Sequence, residues 1–433
     1  MAGHEVDGHP GAAERMGYYR HALTRMRGRS TAGSHRPATP LELLFDLTFV
    51  AAFGVAGNEF AHAIAEGHWQ SGLVAFMFAM GSIVWAWINF SWFASAFDTD
   101  DWLFRVVTMV QMTGVIVLAI GIPALFASIE EGQAIDNRVV VAGYVVMRVA
   151  MVAQWLRVAA SDPVYRSAAL TYAVFVSVAQ VGWIAVAILP FDLLQASFAA
   201  ILLWSIELLG PVVAERRGVR SGGGSTPWHP LHIAERYSLL TIVALGETVL
   251  GTLAAAQGIS AAEGWGVSTV VIIGAGVALS FALWWLYFLV PAGPVLALRR
   301  DRAFPWGYGH ILVFASIAAV GTGLHVIGYV YDEHYHVSTM TAVVAIAVPV
   351  LIFLVAILLL HAWLLSSLPR TAGLQFITLL LPAAAIGAAA LGVDLWACVL
   401  LVLAAPVVLI LAYEGGAWRM LQTQLDSVLG DHR

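Results

Sequence analysis

The stretch TMTAVVAIAVPVLIFLVAILLLHAWLL, residues 339–365, contains no Asp, Glu, Lys or Arg. About 20 apolar residues in a helix cross a bilayer core of about 30 Å, so this stretch alone predicts a membrane-spanning helix. The rest of the chain has the same character, since 60% of its 433 residues are apolar and 11% are charged. Its mean hydropathy is +0.83. These values predict an integral membrane protein rather than a set of soluble domains.

The same length criterion, applied to the whole chain, predicts an all-α integral membrane protein with about 12 transmembrane helices. The expected spans are residues 41–64, 70–96, 102–128, 139–160, 167–190, 193–214, 231–256, 266–290, 306–330, 339–365, 372–391 and 394–413.

The distribution of basic residues predicts the direction of these spans. All 21 basic residues are Arg, and the net charge of -6 is spread along the chain, which argues against a nucleic-acid partner. Loops on the cytoplasmic side of a membrane carry an excess of basic residues. With a cytoplasmic N-terminus, the outer loops hold only Arg138. The inner loops and the tail hold Arg105, Arg157, Arg166, Arg216, Arg217, Arg220, Arg299, Arg300, Arg302, Arg370, Arg419 and Arg433. We therefore expect both termini in the cytoplasm.

Composition also predicts the domain organisation. Residues 1–39 form a basic arm with Arg15, Arg20, Arg25, Arg27, Arg29 and Arg36, without the apolar core of a signal peptide, and we expect this arm to lie against anionic lipid. A Gly-rich tract at residues 221–225 lies in a predicted linker, 215–228, between two six-helix halves, 40–214 and 229–413, followed by a tail, 414–433. Trp87-Ile-Asn-Phe90 aligns with Trp285-Leu-Tyr-Phe288, which favours parallel repeats with a site at their interface.

Ionisable residues inside the spans are the candidate functional residues, because such groups are costly in a membrane unless they are buried with partners. Depth along the spans predicts an inner group and an outer group, with Arg148 near mid-depth. The inner group is Glu42, Asp46, Glu207, Glu235, Arg236 and His310, and the outer group is Asn58, Glu59, Glu247 and His325. One interpretation is an ion or proton path, or a polar substrate site. The alternative is a set of structural ion pairs, such as Arg148 or Arg236 with Asp46 or Glu207.

Other chemistry has weaker support in the sequence. The run Asp332-Glu-His334-Tyr-His336 could hold a metal, but no further ligands cluster nearby, and we interpret it as a solvated turn. No nucleophile, zinc or Gly-rich phosphate motif qualifies, so we expect no catalytic residues, no cofactor and no enzymatic activity.

Two segments resemble a known family. Pro40-Leu-Glu-Leu-Leu-Phe-Asp-Leu-Thr-Phe-Val50 and the segment from His232 to Glu247 are similar to the bacterial low temperature requirement A (LtrA) family, and the likeness continues through Arg148 and Gln154. It implies a multi-span protein of the bacterial cytoplasmic membrane and marks Glu42, Asp46, Glu235, Arg236 and Glu247 as signature positions without a role. The segment from Leu41 to Val50 is also similar to the opening of each repeat in endolysosomal potassium and proton channels, although Ser is missing here before Asp46.

These observations leave three hypotheses for function. The first is an ion- or proton-linked transporter or channel that uses intramembrane carboxylates, with a cation, a proton or a small solute as its partner besides the lipid bilayer. The second is a membrane scaffold or envelope factor for growth in the cold. The third is a membrane-embedded enzyme.

Overall fold

The computed structural model describes residues 23–29, 37–132, 135–366 and 372–430, and this part of the chain is helical without a strand. The helices are α1 (Pro40–Ala65), α2 (Trp69–Phe97), α3 (Trp102–Glu131), α4 (Arg138–Ser161), α5 (Arg166–Ile188), α6 (Leu193–Arg220), α7 (Pro230–Glu263), α8 (Val267–Tyr287), α9 (Ala292–Leu298), α10 (Ala303–Tyr329), α11 (Thr339–Leu365), α12 (Ala372–Ala390), α13 (Leu395–Ala412) and α14 (Trp418–Gly430).

The helix lengths confirm a multi-span membrane protein. Within the described ranges, 11 helical stretches are long and apolar enough to cross a membrane. The remaining predicted span, 372–391, is present as α12, but the apolar stretch described there, Gln375–Ala390, is shorter than the others. The expected spans otherwise coincide with helices, and α7 extends to Glu263, beyond its predicted end at 256.

Several helices begin where side chains cap their free backbone N–H groups. Thr39 and Glu42 form a reciprocal capping box at the start of α1, with Pro40 in its first turn. Asp192 and Gln195 do the same for α6, and Ser338 caps α11. Because these side chains precede or open apolar runs, the helix starts are encoded locally.

The helices of the bundle differ in burial, with α10 near the centre and α6 at the periphery. The membrane-crossing part of α10 is 83% buried, whereas that of α6 is 22% buried. α1 packs against α2, α3, α7 and α10. Residues 23–29 and the start of α1 define what we call the N-terminal end of the bundle, and the end that holds the α1–α2 turn is the opposite end.

α7 and α10 approach closely where glycines face each other. A Cβ atom at Gly251 would lie 2.1 Å from the carbonyl oxygen of Gly321, and one at Gly321 would lie 2.5 Å from the carbonyl oxygen of Glu247. A larger residue at either position would force the two helices apart. This contact therefore fixes the depth and rotation of Glu247 relative to α10.

Part of the basic arm is held by hydrogen bonds to the helix bundle. In residues 23–29 the backbone N–H of Thr24 donates to Asp101 at 3.0 Å, and that of Gly28 donates to Asp162 at 2.9 Å. Arg157 also binds Asp101. Burial raises the pKa of Asp101, but hydrogen bonds from Arg157 and two backbone N–H groups outweigh it and leave this pKa below its usual value. Arg15, Arg20 and Arg36 of the predicted arm, Arg370 of a predicted inner loop and Arg433 of the predicted tail lie outside the described residues.

The predicted linker is partly helical. α6 continues through residues 215–220, because the buried carboxylate of Glu215 accepts hydrogen bonds from the N–H of Thr226 and from the Tyr172 hydroxyl. The chain then turns through Gly222 and Gly224, whose φ angles of +80° and +98° favour glycine.

The two aligned aromatic motifs lie in different surroundings. Trp87 is fully buried, whereas Trp285 is 44% exposed. The alignment of these tetrapeptides therefore does not correspond to a shared structural environment.

Candidate functional site

The first group of buried charges joins α1 to α7 near the N-terminal end, and we call it the Asp46 cluster. Asp46 accepts hydrogen bonds from Arg236 Nη2 and, at 2.7 Å, from Trp87 Nε1. Arg236 Nη1 lies 3.3 Å from Glu42 Oε1, and His232 Nε2 lies 3.2 Å from the same oxygen. Asp46 and Arg236 are almost completely buried. The cluster therefore pairs Arg236 with two carboxylates across the two helices.

Glu42 has a local structural role in addition. Its Oε2 accepts hydrogen bonds from the backbone N–H and the hydroxyl of Thr39, at 2.7 and 2.9 Å. A carboxylate at a helix N-terminus is also stabilised by the helix dipole. Glu42 thus caps α1 as well as pairing with Arg236.

The second group lies within α2, α4, α5 and α6, and we call it the Glu207 cluster. Glu207 Oε2 accepts from Trp85 Nε1 at 2.7 Å, from the Tyr144 hydroxyl at 2.8 Å and from Arg148 Nη2 at 2.8 Å. Its Oε1 accepts from Trp183 Nε1 at 3.1 Å and from Gln180 Nε2 at 3.3 Å. Glu207 therefore accepts hydrogen bonds from five donors, one of them a cation. The sequence predicts Glu207 in the inner group with Asp46, but the structure places it in a separate cluster.

Glu247 differs from Glu42, Asp46 and Glu207, which all pair with an Arg, because its carboxylate makes no ion pair among the described residues. It is buried, with 7% of its surface exposed, and its Oε1 finds no hydrogen-bond donor among the described residues. The carboxylate faces two glycines of α1: a Cβ atom at Gly54 would lie 3.4 Å from Oε1, and one at Gly57 would lie 3.9 Å from Oε2. Thr322 of α10 donates its hydroxyl hydrogen to the carbonyl of Gly57 at 3.1 Å, beside this space.

His325 lies one turn beyond Gly321 on α10, towards the opposite end. Its ring stacks on Tyr329 with a centroid distance of 5.0 Å. Tyr329 also contacts His62, whose Nδ1 lies 3.2 Å from the hydroxyl of Tyr335. On α1, Glu59 is half-buried and Asn58 is exposed. Polar and aromatic side chains therefore continue from the level of Glu247 towards the opposite end.

Glu235 and His310 also lie towards the N-terminal end, and both line a cavity there. This cavity measures about 210 Å³ and is also lined by Ser238, Tyr287 and His361. His310 Nδ1 lies 2.8 Å from the carbonyl oxygen of Trp306, and Nε2 lies 3.0 Å from the Tyr287 hydroxyl. Since a carbonyl only accepts, His310 donates from Nδ1 and its neutral form accepts from Tyr287.

An apolar layer separates the Asp46 cluster from Glu247. Arg236 and Glu247 are separated by about 17 Å along α7, at 1.5 Å per residue. Fully buried Phe49, Leu240 and Phe314 lie between these levels on α1, α7 and α10, and they form what we call the apolar layer. The Asp46 cluster of the predicted inner group and Glu247 of the predicted outer group are therefore separated by these apolar side chains.

Sequence reasoning missed most of the groups that hold these charges. Trp85, Trp87 and Trp183 each donate an indole N–H to a buried carboxylate. A buried Trp usually needs a hydrogen-bond acceptor for its indole N–H, so the Trp residues inside the spans could have indicated nearby buried carboxylates. Tyr144, His232 and the glycines facing Glu247 carry no comparable signal, because their partners lie on other helices.

Groups that could hold a metal lie on the surface of the opposite end. His334 Nδ1 lies 2.8 Å from Asp332 Oδ1 in an exposed turn. The hydrogen bond from the N–H of His334 lowers the pKa of Asp332. Ligand atoms of Glu66, His68 and Glu130 lie within 4.8 Å of one another, but all three residues are exposed, and His68 pairs with Glu130.

Comparison with known proteins gives one match. Residues 37–412 match the model of a family described as Bacterial low temperature requirement A protein (LtrA). No curated protein and no solved structure matches significantly. The matched range confirms the resemblance seen at Pro40–Val50 and contains every buried charge described above.

Proposed function

The chain belongs to the bacterial low temperature requirement A family, and we propose that this multi-span membrane protein is an ion- or proton-linked transporter in which Glu247 binds the cation. The observation that carries the proposal is the buried carboxylate of Glu247, whose Oε1 has no donor in the described part of the chain. An ionised carboxylate at such depth costs from about 2.5 to more than 10 kcal/mol. Uptake of a proton or a small cation removes this cost.

The surroundings of Glu247 favour a carrier over an open pore. Gly54 and Gly57 leave space beside the carboxylate, and Thr322 offers an oxygen at the same level. The apolar layer closes the direct route to the Asp46 cluster. We therefore propose that the cation reaches Glu247 from the side of His325 and Glu59, and that a movement of α1 against α7 and α10 exposes it to the other side.

In this proposal, the other buried charges hold the helices in position. The pair of Arg236 with Asp46 couples α1 to α7, where such a movement would occur. Arg148 and Glu207 hold α4 to α6. Glu235 and His310 line the cavity at the N-terminal end and provide polar surface there.

We also propose that the N-terminal end faces the cytoplasm of a bacterial cell and that both termini lie there. The support is the excess of Arg in the loops of that end. Two six-helix halves, 40–214 and 229–413, are consistent with the contacts of α1 and α2 with α7 and α10. Glu247 and the Asp46 cluster both lie where these segments meet.

Flux into proteoliposomes tests the proposal. Purified protein should carry H⁺, Na⁺ or K⁺ across the membrane at a rate above that of empty vesicles, and Glu247→Gln should remove at least about 90% of it, because an amide binds neither a proton nor a cation comparably. Glu263→Gln is the matched control, since Glu263 lies at the exposed end of the same helix. It should leave the flux unchanged.

Two results would contradict this function. One is the absence of flux for all three ions with folded wild-type protein. The other is undiminished flux in Glu247→Gln. If the same variant also supported growth in the cold as well as the wild type, a scaffold would explain the protein better.

A further inference from the structure

A groove of about 700 Å³ lies between α5 and α6 at the N-terminal end of the bundle. The loop before α5 and the loop after α6 form one wall of it, through Val164, Gly222 and Gly223 among others. A Cβ atom at Gly223 would overlap the carbonyl oxygen of Val164, so the two loops pack directly on each other. This wall of the groove is therefore fixed by the packing of the protein itself.

Two arginines give the groove a positive charge. Arg166 lines it from the start of α5, and Arg217 lines it from the last turns of α6. Neither forms an ion pair with another described residue, and no Asp or Glu is among the lining residues. The acids nearest in sequence, Asp162 and Glu215, are buried and accept hydrogen bonds from elsewhere in the protein. The groove is therefore complementary to an anion.

The start of α5 adds hydrogen-bond donors to the same groove. The first N–H groups of a helix have no partner within the helix, and they attract anions. The residue that precedes α5, Tyr165, makes no side-chain hydrogen bond to these groups. Ser167, in the first turn, also lines the groove. Guanidinium groups together with N–H donors suit the oxygens of a phosphate.

Further along the two helices the lining becomes apolar. Leu170 and Val174 follow Arg166 at intervals of four residues, so the three lie on one face of α5. At 1.5 Å per residue, Val174 lies about 12 Å beyond Arg166 along the helix. Val213 lies one turn from Arg217 on α6, and all three apolar side chains are exposed. The groove therefore joins a basic end to an apolar wall within the membrane-crossing part of the helices.

We propose that this groove binds an anionic phospholipid. Its phosphate lies between Arg166 and Arg217, and an acyl chain lies along Leu170, Val174 and Val213. The unpaired positive charge selects an anion, and the apolar wall selects a lipid over a soluble phosphate. Basic pockets between transmembrane helices hold anionic lipid headgroups in this way. The site is independent of transport at Glu247, which does not line the groove.

Native mass spectrometry of the full chain in detergent tests the site with phosphatidylglycerol as the probe. We expect phosphatidylglycerol to bind at least about tenfold more tightly than phosphatidylcholine with the same acyl chains, because phosphatidylcholine has no net charge. Arg166→Gln and Arg217→Gln should each weaken phosphatidylglycerol binding by at least about fivefold. Both side chains are exposed, so the variants should fold. Equal affinity for the two lipids, or unchanged affinity in both variants, would overturn the proposal.

Arg216→Gln is the matched control for charge. Arg216 is exposed and adjacent to Arg217, but it does not line the groove. This variant lowers the net charge by the same amount and should bind phosphatidylglycerol as the wild type does. If it weakened binding as much as Arg217→Gln, the attraction would be non-specific and the site would be excluded.

Ser221→Glu tests the groove with both arginines in place. Ser221 is exposed and lines the groove after the end of α6, so a carboxylate there would pair with the arginines and repel a phosphate. We expect the preference for phosphatidylglycerol to disappear. Ser225→Glu, at an exposed position of the same loop outside the lining, should keep it. A preserved preference in Ser221→Glu would contradict the proposal.

A competition experiment distinguishes a lipid from a soluble phosphate. sn-Glycerol 3-phosphate has the phosphate without acyl chains, and it should displace phosphatidylglycerol at least about a hundredfold less effectively, since it has no apolar surface to bury. Comparable potency of the two would assign the groove to a soluble phosphate and overturn its assignment to a lipid.

Discussion

Glu207 and Glu247 are both glutamates in the middle of long helices, and they are 5% and 7% exposed. Glu207 accepts five hydrogen bonds, one of them from Arg148. Glu247 has no cationic partner in the described part of the chain, and its Oε1 has no donor. Burial is therefore nearly the same for a carboxylate whose oxygens all have donors and for one whose Oε1 has none. The partners distinguish a structural charge from a candidate functional one.

The difference has an energetic consequence. Removal of one partner from a buried, hydrogen-bonded ion pair is strongly destabilising. A buried carboxylate without partners gains free energy by binding a proton or a cation. The two sites should therefore respond in opposite ways to mutation, as the following variants test.

The largest effect is expected for Arg148→Met. This change leaves the Glu207 carboxylate buried without its cation, and we expect a loss of about 3–5 kcal/mol in the free energy of unfolding. Chemical unfolding in detergent, followed by circular dichroism, measures it. Arg138→Met is the matched control, since Arg138 begins the same helix and its side chain is 77% exposed. Equal stability of the two variants would contradict a structural role for the pair.

Gly251→Ala should have the next largest effect. The new Cβ atom would lie 2.1 Å from the carbonyl oxygen of Gly321, so α7 and α10 must separate. We expect a loss of about 1–3 kcal/mol in unfolding free energy, together with a reduced ion flux, because Glu247 shifts with α7.

Gly246→Ala provides the control on the same helix. A Cβ atom there has nothing within 4 Å, and alanine favours the helix over glycine. This variant should be at least as stable as the wild type. A similar loss in both glycine variants would show that the close contact of α7 with α10 is not the cause.

Trp183→Phe should have a smaller effect. It removes one of the five donors to Glu207, and the carboxylate keeps four, so we expect a loss of about 1 kcal/mol. Trp204→Phe is the control for lost packing, because the Trp204 ring packs edge-on against Trp183 with a centroid distance of 5.9 Å. A lower stability for Trp204→Phe than for Trp183→Phe would contradict a stabilising role for the hydrogen bond from Trp183 to Glu207.

The smallest effect on stability is expected for Glu247→Gln. No donor to Oε1 is lost and no cation is left unpaired, so the melting temperature in nanodiscs should not fall. The matched change Glu207→Gln weakens hydrogen bonds to a charged acceptor, and such bonds contribute about 1.5–3 kcal/mol each. Equal melting temperatures for the two amide variants would remove the distinction between the sites.

The sequence predicts the helices well because their determinants are local. Uninterrupted apolar runs fix the spans, and Thr39, Asp192 and Ser338 mark helix starts. α12 is the weakest case, since its described apolar stretch is short. The extension of α6 through the predicted linker depends on Glu215 and Thr226, which meet only after the chain has turned.

The candidate site was predictable in part. Two ion pairs in the structure are among those that the sequence analysis gave as structural alternatives. They are Arg148 with Glu207 and Arg236 with Asp46. Depth placed Glu207 with Asp46, but the arrangement of the helices separates them. The isolation of Glu247 depends on which faces of α1 and α10 meet it, and spacing along one helix does not contain that information.

The apolar layer of Phe49, Leu240 and Phe314 also has an electrical consequence. Fully buried hydrocarbon has a low dielectric constant, so a transmembrane voltage falls mainly across such a layer and little across the polar regions on either side. Work of about 2.3 kcal/mol per 100 mV accompanies each elementary charge that crosses the full potential. An ion bound at Glu247 would therefore experience most of the membrane voltage only when it passes these three side chains.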